Sequence, residues 1–147
     1  MENNIIVRSF KEGDYETCCD WWWWWWKKHN RKPVRRMFLP KNERCFIVEK
    51  NGVPVAAYFL FLSEVRIVAW STYLVSNPEY KEKDRRELIN LLIKKVEKEA
   101  KKYGVIQLFT VCGDKHMSSI HHNLDWIMFP VEYEGFKFLL DNIKVKK

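Results

Sequence analysis

Residues 70–112 read W-S-T-Y-L-V-S-N-P-E-Y-K-E-K-D-R-R-E-L-I-N-L-L-I-K-K-V-E-K-E-A-K-K-Y-G-V-I-Q-L-F-T-V-C, and three pattern changes divide them. The opening residues belong to a β-rich run, Arg66 to Val75, which Asn77-Pro78 stops. From Asp84 to Tyr103 the apolar residues Leu88, Leu92, Val96 and Ala100 recur every four positions, with Ile89, Ile93 and Tyr103 beside them. That spacing predicts an amphipathic helix, which Gly104 closes. Val105 to Cys112 is then an almost uncharged strand, the pattern of burial between layers. Strand, breaker, helix, glycine and strand in this order is the crossover half of an α/β domain.

Upstream the chain reads as a hairpin-built half. Cys45–Lys50 and Val53–Leu62 are apolar runs joined by Asn51-Gly52, two residues that tolerate positive φ and so predict a two-residue hairpin turn. Ile5 to Ser9 is a short strand. Gly13 is a break, and Asp14 is placed to cap a helix running to about His29. Asn30 to Asn42, with Pro33 and Pro40, is a loop or a short second helix. Downstream, Gly113-Asp114 starts a helix to about Trp126 and Glu132 to Leu140 is a last strand. The expectation is a mixed α/β sheet of about six strands flanked by three to four helices, one domain over residues 2–142 with a basic tail at 143–147.

At 147 residues such a domain holds one core. The four cysteines form no C-x-x-C pair, so they read as small hydrophobes in a reducing, intracellular protein. No stretch has the length and apolarity of a transmembrane helix, and no secretory leader is visible. Two local features stand out within the net charge of +7 and the eight tryptophans. Trp21 to Trp26 are consecutive, and Lys27 to Arg36 follows with six Lys or Arg and no acid. A second cluster, Lys81, Lys83, Arg85 and Arg86, precedes the long helix. Excess Lys/Arg attracts phosphates of any source, or simply forms a solvated face.

The element order, with I-I-V-R-S-F-K-E-G-D-Y at the start and W-S-T-Y-L-V-S-N-P-E-Y-K before the helix, resembles the GCN5-related N-acetyltransferase family, including small versions carried by tailed phages. The resemblance implies a splayed sheet with acetyl-CoA inserted between two parallel strands, here Arg66–Val75 and Val105–Cys112. It implies that Leu74, Val75 and Ser76 offer backbone groups to the pantetheine arm, and that the turn after them binds the pyrophosphate. In the family that turn reads basic-Gly-x-Gly-x-Gly/Ala, so that bare amides at a helix N-terminus meet the phosphates. Lys81 matches the basic position, but Glu82, Asp84 and Arg86 stand where the glycines belong. Either Asp84 and Glu87 form a capping box that fills the helix start, or Lys81, Lys83, Arg85 and Arg86 bind the phosphates through their side chains.

The same resemblance places His121 in the slot of a tyrosine that protonates the departing thiolate, reading Leu124-Asp125-Trp126 as the counterpart of Leu-Gly-Phe; Gly135-Phe136 is a competing match. An imidazolium is a competent acid near neutral pH; the alternative is a histidine on the helix surface or at a cap. Glu64 and Glu132 are weak candidates for a general base. His116, His121 and His122 lack a matching ligand cluster, so no metal is expected. The amine acceptor, small molecule or protein, is not specified by the sequence.

Six consecutive tryptophans on a helix cover every face, because each residue advances by about 100°. Trp22 with Trp25 or Trp26, and Cys18 one turn earlier, is the stripe expected on the sheet. The outward rings, among Trp22, Trp23, Trp25 and Trp26, are candidates for a substrate or partner surface. They suit self-association or a protein contact, an internal cluster covered by Asn30–Asn42, or, with the basic residues after them, nucleic-acid stacking or a membrane interface.

Overall fold

The computed structural model describes residues 3–112, 115–129 and 139. Five strands form one sheet in the order β1-β2-β3-β4-β5: β1 Ile5–Ser9, β2 Cys45–Lys50, β3 Val53–Leu62, β4 Val68–Ser76 and β5 Gln107–Thr110. The first four are antiparallel neighbours, and β5 runs parallel to β4. The helices are α1 Asp14–Trp26, α2 Arg85–Lys102 and α3 Lys115–Asn123. The expected sixth strand, Glu132–Leu140, apart from Leu139, and the basic tail lie outside the described residues.

The hairpin forms as its sequence dictates. Asn51 and Gly52 take φ of 51° and 79°, and Lys50 pairs with Val53 across the turn. Strands β2 and β3 are apolar on both sides because both faces are covered. Phe46, Val48, Tyr58 and Leu60 face α2 and α3, packing with Leu88, Leu92, Val96 and Ile120. Cys45, Ile47, Ala57 and Phe59 face α1, packing with Cys18, Trp21 and Trp22. The period of two along each strand thus separates two cores.

Two helix starts differ from expectation. Gly13, at φ 92°, takes the N-cap position and Asp14 is the first helical residue. The Asp14 carboxylate turns back to accept hydrogen bonds from the Arg8 guanidinium at 2.7 Å and the Lys11 amide at 2.7 Å, so it ties α1 to β1 instead of capping. Asp84 precedes α2 but makes no side-chain cap, for reasons that matter to the site. The segment after α1 is neither wholly loop nor helix: 3-10 turns occupy Lys27–His29, Arg36–Phe38 and Asn42–Arg44.

Candidate functional site

Strand β4 is paired on both sides only in its first half. Val68, Ala69, Trp70 and Ser71 match Gln107, Leu108, Phe109 and Thr110 of β5, where β5 ends. From Thr72 to Ser76, β4 continues with β3 alone beside it among the described residues. The sheet opens there, and an irregularity lies at the opening. Ala57 pairs with Val75 whereas Phe59 pairs with Thr72, so β4 carries one extra residue opposite Tyr58. Tyr73 takes up the bulge with φ at 62°, a conformation disfavoured for a bulky residue at a cost of about 1–3 kcal/mol. Aromatic packing holds it there: Trp22 meets Tyr73 edge-on at 6.5 Å and Phe61 does so at 6.0 Å.

Beyond the bulge the antiparallel alternation decides which backbone groups are available. The Asn77 amide donates to the Val55 carbonyl, which makes the neighbouring Ser76–Ala56 match a non-hydrogen-bonded pair. Ser76 therefore turns its amide and carbonyl away from β3, toward the opening, and the Leu74 carbonyl, which precedes the β3-facing Val75 amide, does the same. Val75 does the opposite: its groups pair with Ala57 and its side chain is buried. Of the three strand residues expected to offer backbone groups, Ser76 turns both toward the opening and Val75 turns both toward β3.

The turn into α2 lies at the same end. The Asp84 carboxylate accepts hydrogen bonds from the Lys50 ammonium and, at 2.7 Å, from the Tyr80 hydroxyl. Donation by Lys50, then by Tyr80, lowers its pKa. Asp84 sits at φ −85°, ψ 3° rather than in the extended region that lets a cap side chain fold back, and no capping box forms. The amides of Arg86 and Glu87 consequently have no hydrogen-bond partner among the described residues; the first helical bond there joins the Leu88 amide to the Asp84 carbonyl. Lys81, Lys83 and Arg86 are exposed around this start. Arg85 is different: its Nη2 donates to Ser76 Oγ at 2.8 Å.

The tryptophan helix meets β4 on both sides of these features. Trp22 is fully buried, stacked on Trp26 with centroids 5.9 Å apart and tilted on Phe59 at 5.5 Å. It packs on the sheet with Cys18, as the stripe predicts, and so leaves the set of candidate surface rings. Trp21 is buried beside it, and Trp26 is half-buried with the Arg31 guanidinium 4.2 Å above its ring. Trp25 projects to the end of β4, where its indole Nε1 donates to the Ser76 carbonyl at 2.7 Å and its ring lies 5.5 Å from the Arg85 guanidinium. Trp23 and Trp24 remain 58% and 48% exposed. Val34 and Leu39, from the segment after α1, pack on the inner rings, so this segment covers part of the cluster.

His121 joins a closed polar network under the paired half of β4. Its Nδ1 lies 2.8 Å from the Met117 carbonyl, an acceptor only, so Nδ1 carries the proton. Nε2, 2.9 Å from the Tyr58 hydroxyl, then accepts from it. Ser71 Oγ and Thr110 Oγ1 donate to the same hydroxyl at 3.0 and 2.8 Å. Tyr58, Ser71 and His121 have no exposed surface. Burial lowers the His121 pKa and raises that of Tyr58, keeping both neutral. The expectation of a surface or capping histidine fails, because α3 presses His121 onto the sheet; His122 is exposed.

The remaining candidates separate. Glu64 is exposed beside a cleft of about 550 Å³ formed with Glu43, Arg44 and Arg66, at the end of β4 opposite the opening. Glu132 lies outside the described residues. No group of three or more metal-ligating side chains occurs among the described residues, and no described helix is long and apolar enough to cross a membrane. The sequence reading missed Lys50, the Tyr73 bulge and the bond by which Trp25 reaches β4. Nothing in the local pattern marks them, since each acts through a partner 34 or more residues away or through a one-residue register change.

No family model and no curated protein matches the chain in sequence. Solved structures do match in fold. A GCN5-related N-acetyltransferase from Ralstonia eutropha JMP134 superposes with a TM-score of 0.64 at 16% identity, over 92% of this chain and 99% of that one. An aminoglycoside N-acetyltransferase in complex with CoA gives 0.59 at 12% identity, over 95% and 98%. N-acetylglutamate synthase from Neisseria gonorrhoeae, complexed with coenzyme A and N-acetyl-glutamate, gives 0.60 at 16% identity over 83% of this chain, which spans only 28% of the synthase. The five-stranded sheet that opens between β4 and β5 thus has the fold of the GCN5-related N-acetyltransferases.

Proposed function

We propose that the chain is an N-acyltransferase that moves an acetyl group from acetyl-CoA to an amine. The observation that carries this reading is the coincidence, at one end of β4, of a strand edge and a helix start that are both unpartnered among the described residues. An acyl-CoA needs both: backbone partners for the amides of its pantetheine arm, and donors for its phosphates. Acetyl-CoA, when bound, supplies an acetyl group activated as a thioester.

The residues present fit such a ligand without the family's glycines. The Arg86 and Glu87 amides are left open because Lys50 and Tyr80 draw the Asp84 carboxylate aside. Lys81, Lys83 and Arg86 add mobile cations, and Arg85 stands at the junction of strand and helix. Leu74 and Ser76 hold the pantetheine arm. His121 is neutral and fully engaged, so its role in this reading is to fix Tyr58 and the closed half of the sheet, rather than to donate the proton. The acceptor amine, on a small molecule or a protein, approaches from the α1 side of the bulge.

A second reading, a catalytically inactive interaction module, is favoured by the exposure of Trp23 and Trp24, with Lys27 Nζ 5.5 Å above the Trp24 ring. These rings then dock on a partner or a second copy of this chain. Isothermal titration separates the two. Acetyl-CoA binding at micromolar concentration, weakened by Arg86→Ala and by added salt, supports the enzyme. Absence of binding at millimolar ligand, with a dimer that Trp23→Ser dissociates, supports the module.

A further inference from the structure

We infer that Trp25 sets how tightly this site takes the pantetheine arm, by competing with it for the Ser76 carbonyl. The inference rests on the acyl-CoA reading and goes beyond it. The Ser76 carbonyl faces the opening of the sheet, where the end of β5 at Thr110 leaves that side of β4 without a strand neighbour among the described residues. Yet this carbonyl is not vacant. The Trp25 indole N–H reaches it from α1 at 2.7 Å, a well-formed bond between residues 51 apart in sequence.

A pantetheine arm is a flexible chain with two secondary amides, and it adds to a strand edge as a peptide does, through N–H and C=O groups. Its amide N–H and the Trp25 N–H are the same kind of donor aimed at the same acceptor. A carbonyl oxygen has two lone pairs, but the second donor must then share the space already filled by the indole. Trp25 stands at the surface. It is 37% exposed and meets the exposed Trp24 edge-on at 4.6 Å. Arg85, 5.5 Å from the ring and bonded to Ser76 Oγ, keeps its own anchor when the ring moves. Ligands then divide by chemistry. CoA must displace the indole, whereas ADP, with the pyrophosphate and no pantetheine, reaches the helix start without touching Ser76.

The test is isothermal titration of CoA and of ADP into the wild-type chain and Trp25→Phe, which keeps an aromatic ring and loses the N–H. One neutral hydrogen bond removed from the competition is expected to tighten CoA binding by roughly threefold to tenfold, and to leave ADP affinity within about twofold. Trp25→Leu, which removes the ring as well, is expected to tighten CoA binding in the same direction. Equal or weaker CoA binding in both variants overturns the inference and leaves the acyl-CoA reading standing. Tightening of CoA and ADP alike also overturns it, since the effect then lies at the phosphates. Failure of CoA to bind any of the three proteins overturns the inference and the reading together.

Discussion

The two halves of β4 share one strand and little else. Val68–Ser71 is flanked by β3 and β5, and beneath it Tyr58, Ser71, Thr110 and His121 satisfy one another. Among the described residues Thr72–Ser76 has a strand on one side only, a residue with positive φ near its start and a side chain from α1 bonded to its last carbonyl. The first half is built to be rigid. The second retains backbone groups with no strand partner, which is the requirement for taking a ligand with amides of its own. The Trp-rich helix serves the second half: Trp22 packs on the bulge at Tyr73, and Trp25 occupies the edge beyond it.

This contrast is breakable from either side. The largest effect is expected for Trp22→Ala, which empties a fully buried site and removes the ring packed on Tyr73. It should cost about 3–5 kcal/mol in denaturant unfolding, enough to unfold a marginal domain. Tyr58→Phe attacks the rigid half, leaving His121 Nε2, Ser71 Oγ and Thr110 Oγ1 short of a partner, at about 1–3 kcal/mol by the same measurement.

The pH dependence of stability sharpens the same point. Burial holds folded His121 below its ordinary value of 6.5, so the unfolded chain binds a proton that the folded chain refuses. The contribution of His121 is whole above about pH 6.5 and is lost as the pH falls through its depressed folded value. His121→Gln should flatten that acid limb in thermal melts at a series of pH values. The smallest effect is expected for Trp23→Ser, on the exposed face of α1: within about 0.5 kcal/mol of wild type.

The rigid parts were legible in sequence because their signals are local. Asn51-Gly52 dictates its own turn, and the four-residue spacing from Leu88 to Ala100 dictates the buried face of α2. The end of β4 was legible only as a place. Asn77-Pro78 and the cations after it mark where a ligand would bind, but not how the site is built. Asp84 reads as a cap by type and position, and only the approach of Lys50 from β2 shows why it is not one. The tryptophan run reads as a helix with rings on every face. Which ring is core, which bonds β4 and which stays outside depends on where the sheet opens, and the opening follows from β5 ending at Thr110. The resemblance places His121 at the site, whereas the burial that makes it neutral comes from α3 packing on Tyr58 of β3 and is invisible along the chain.

Amide hydrogen exchange with and without acetyl-CoA tests the central claim most directly. Binding along the open edge predicts slower exchange at the Ser76, Arg86 and Glu87 amides, with Val68–Ser71 unchanged. Unchanged exchange at these three amides under saturating acetyl-CoA would contradict it.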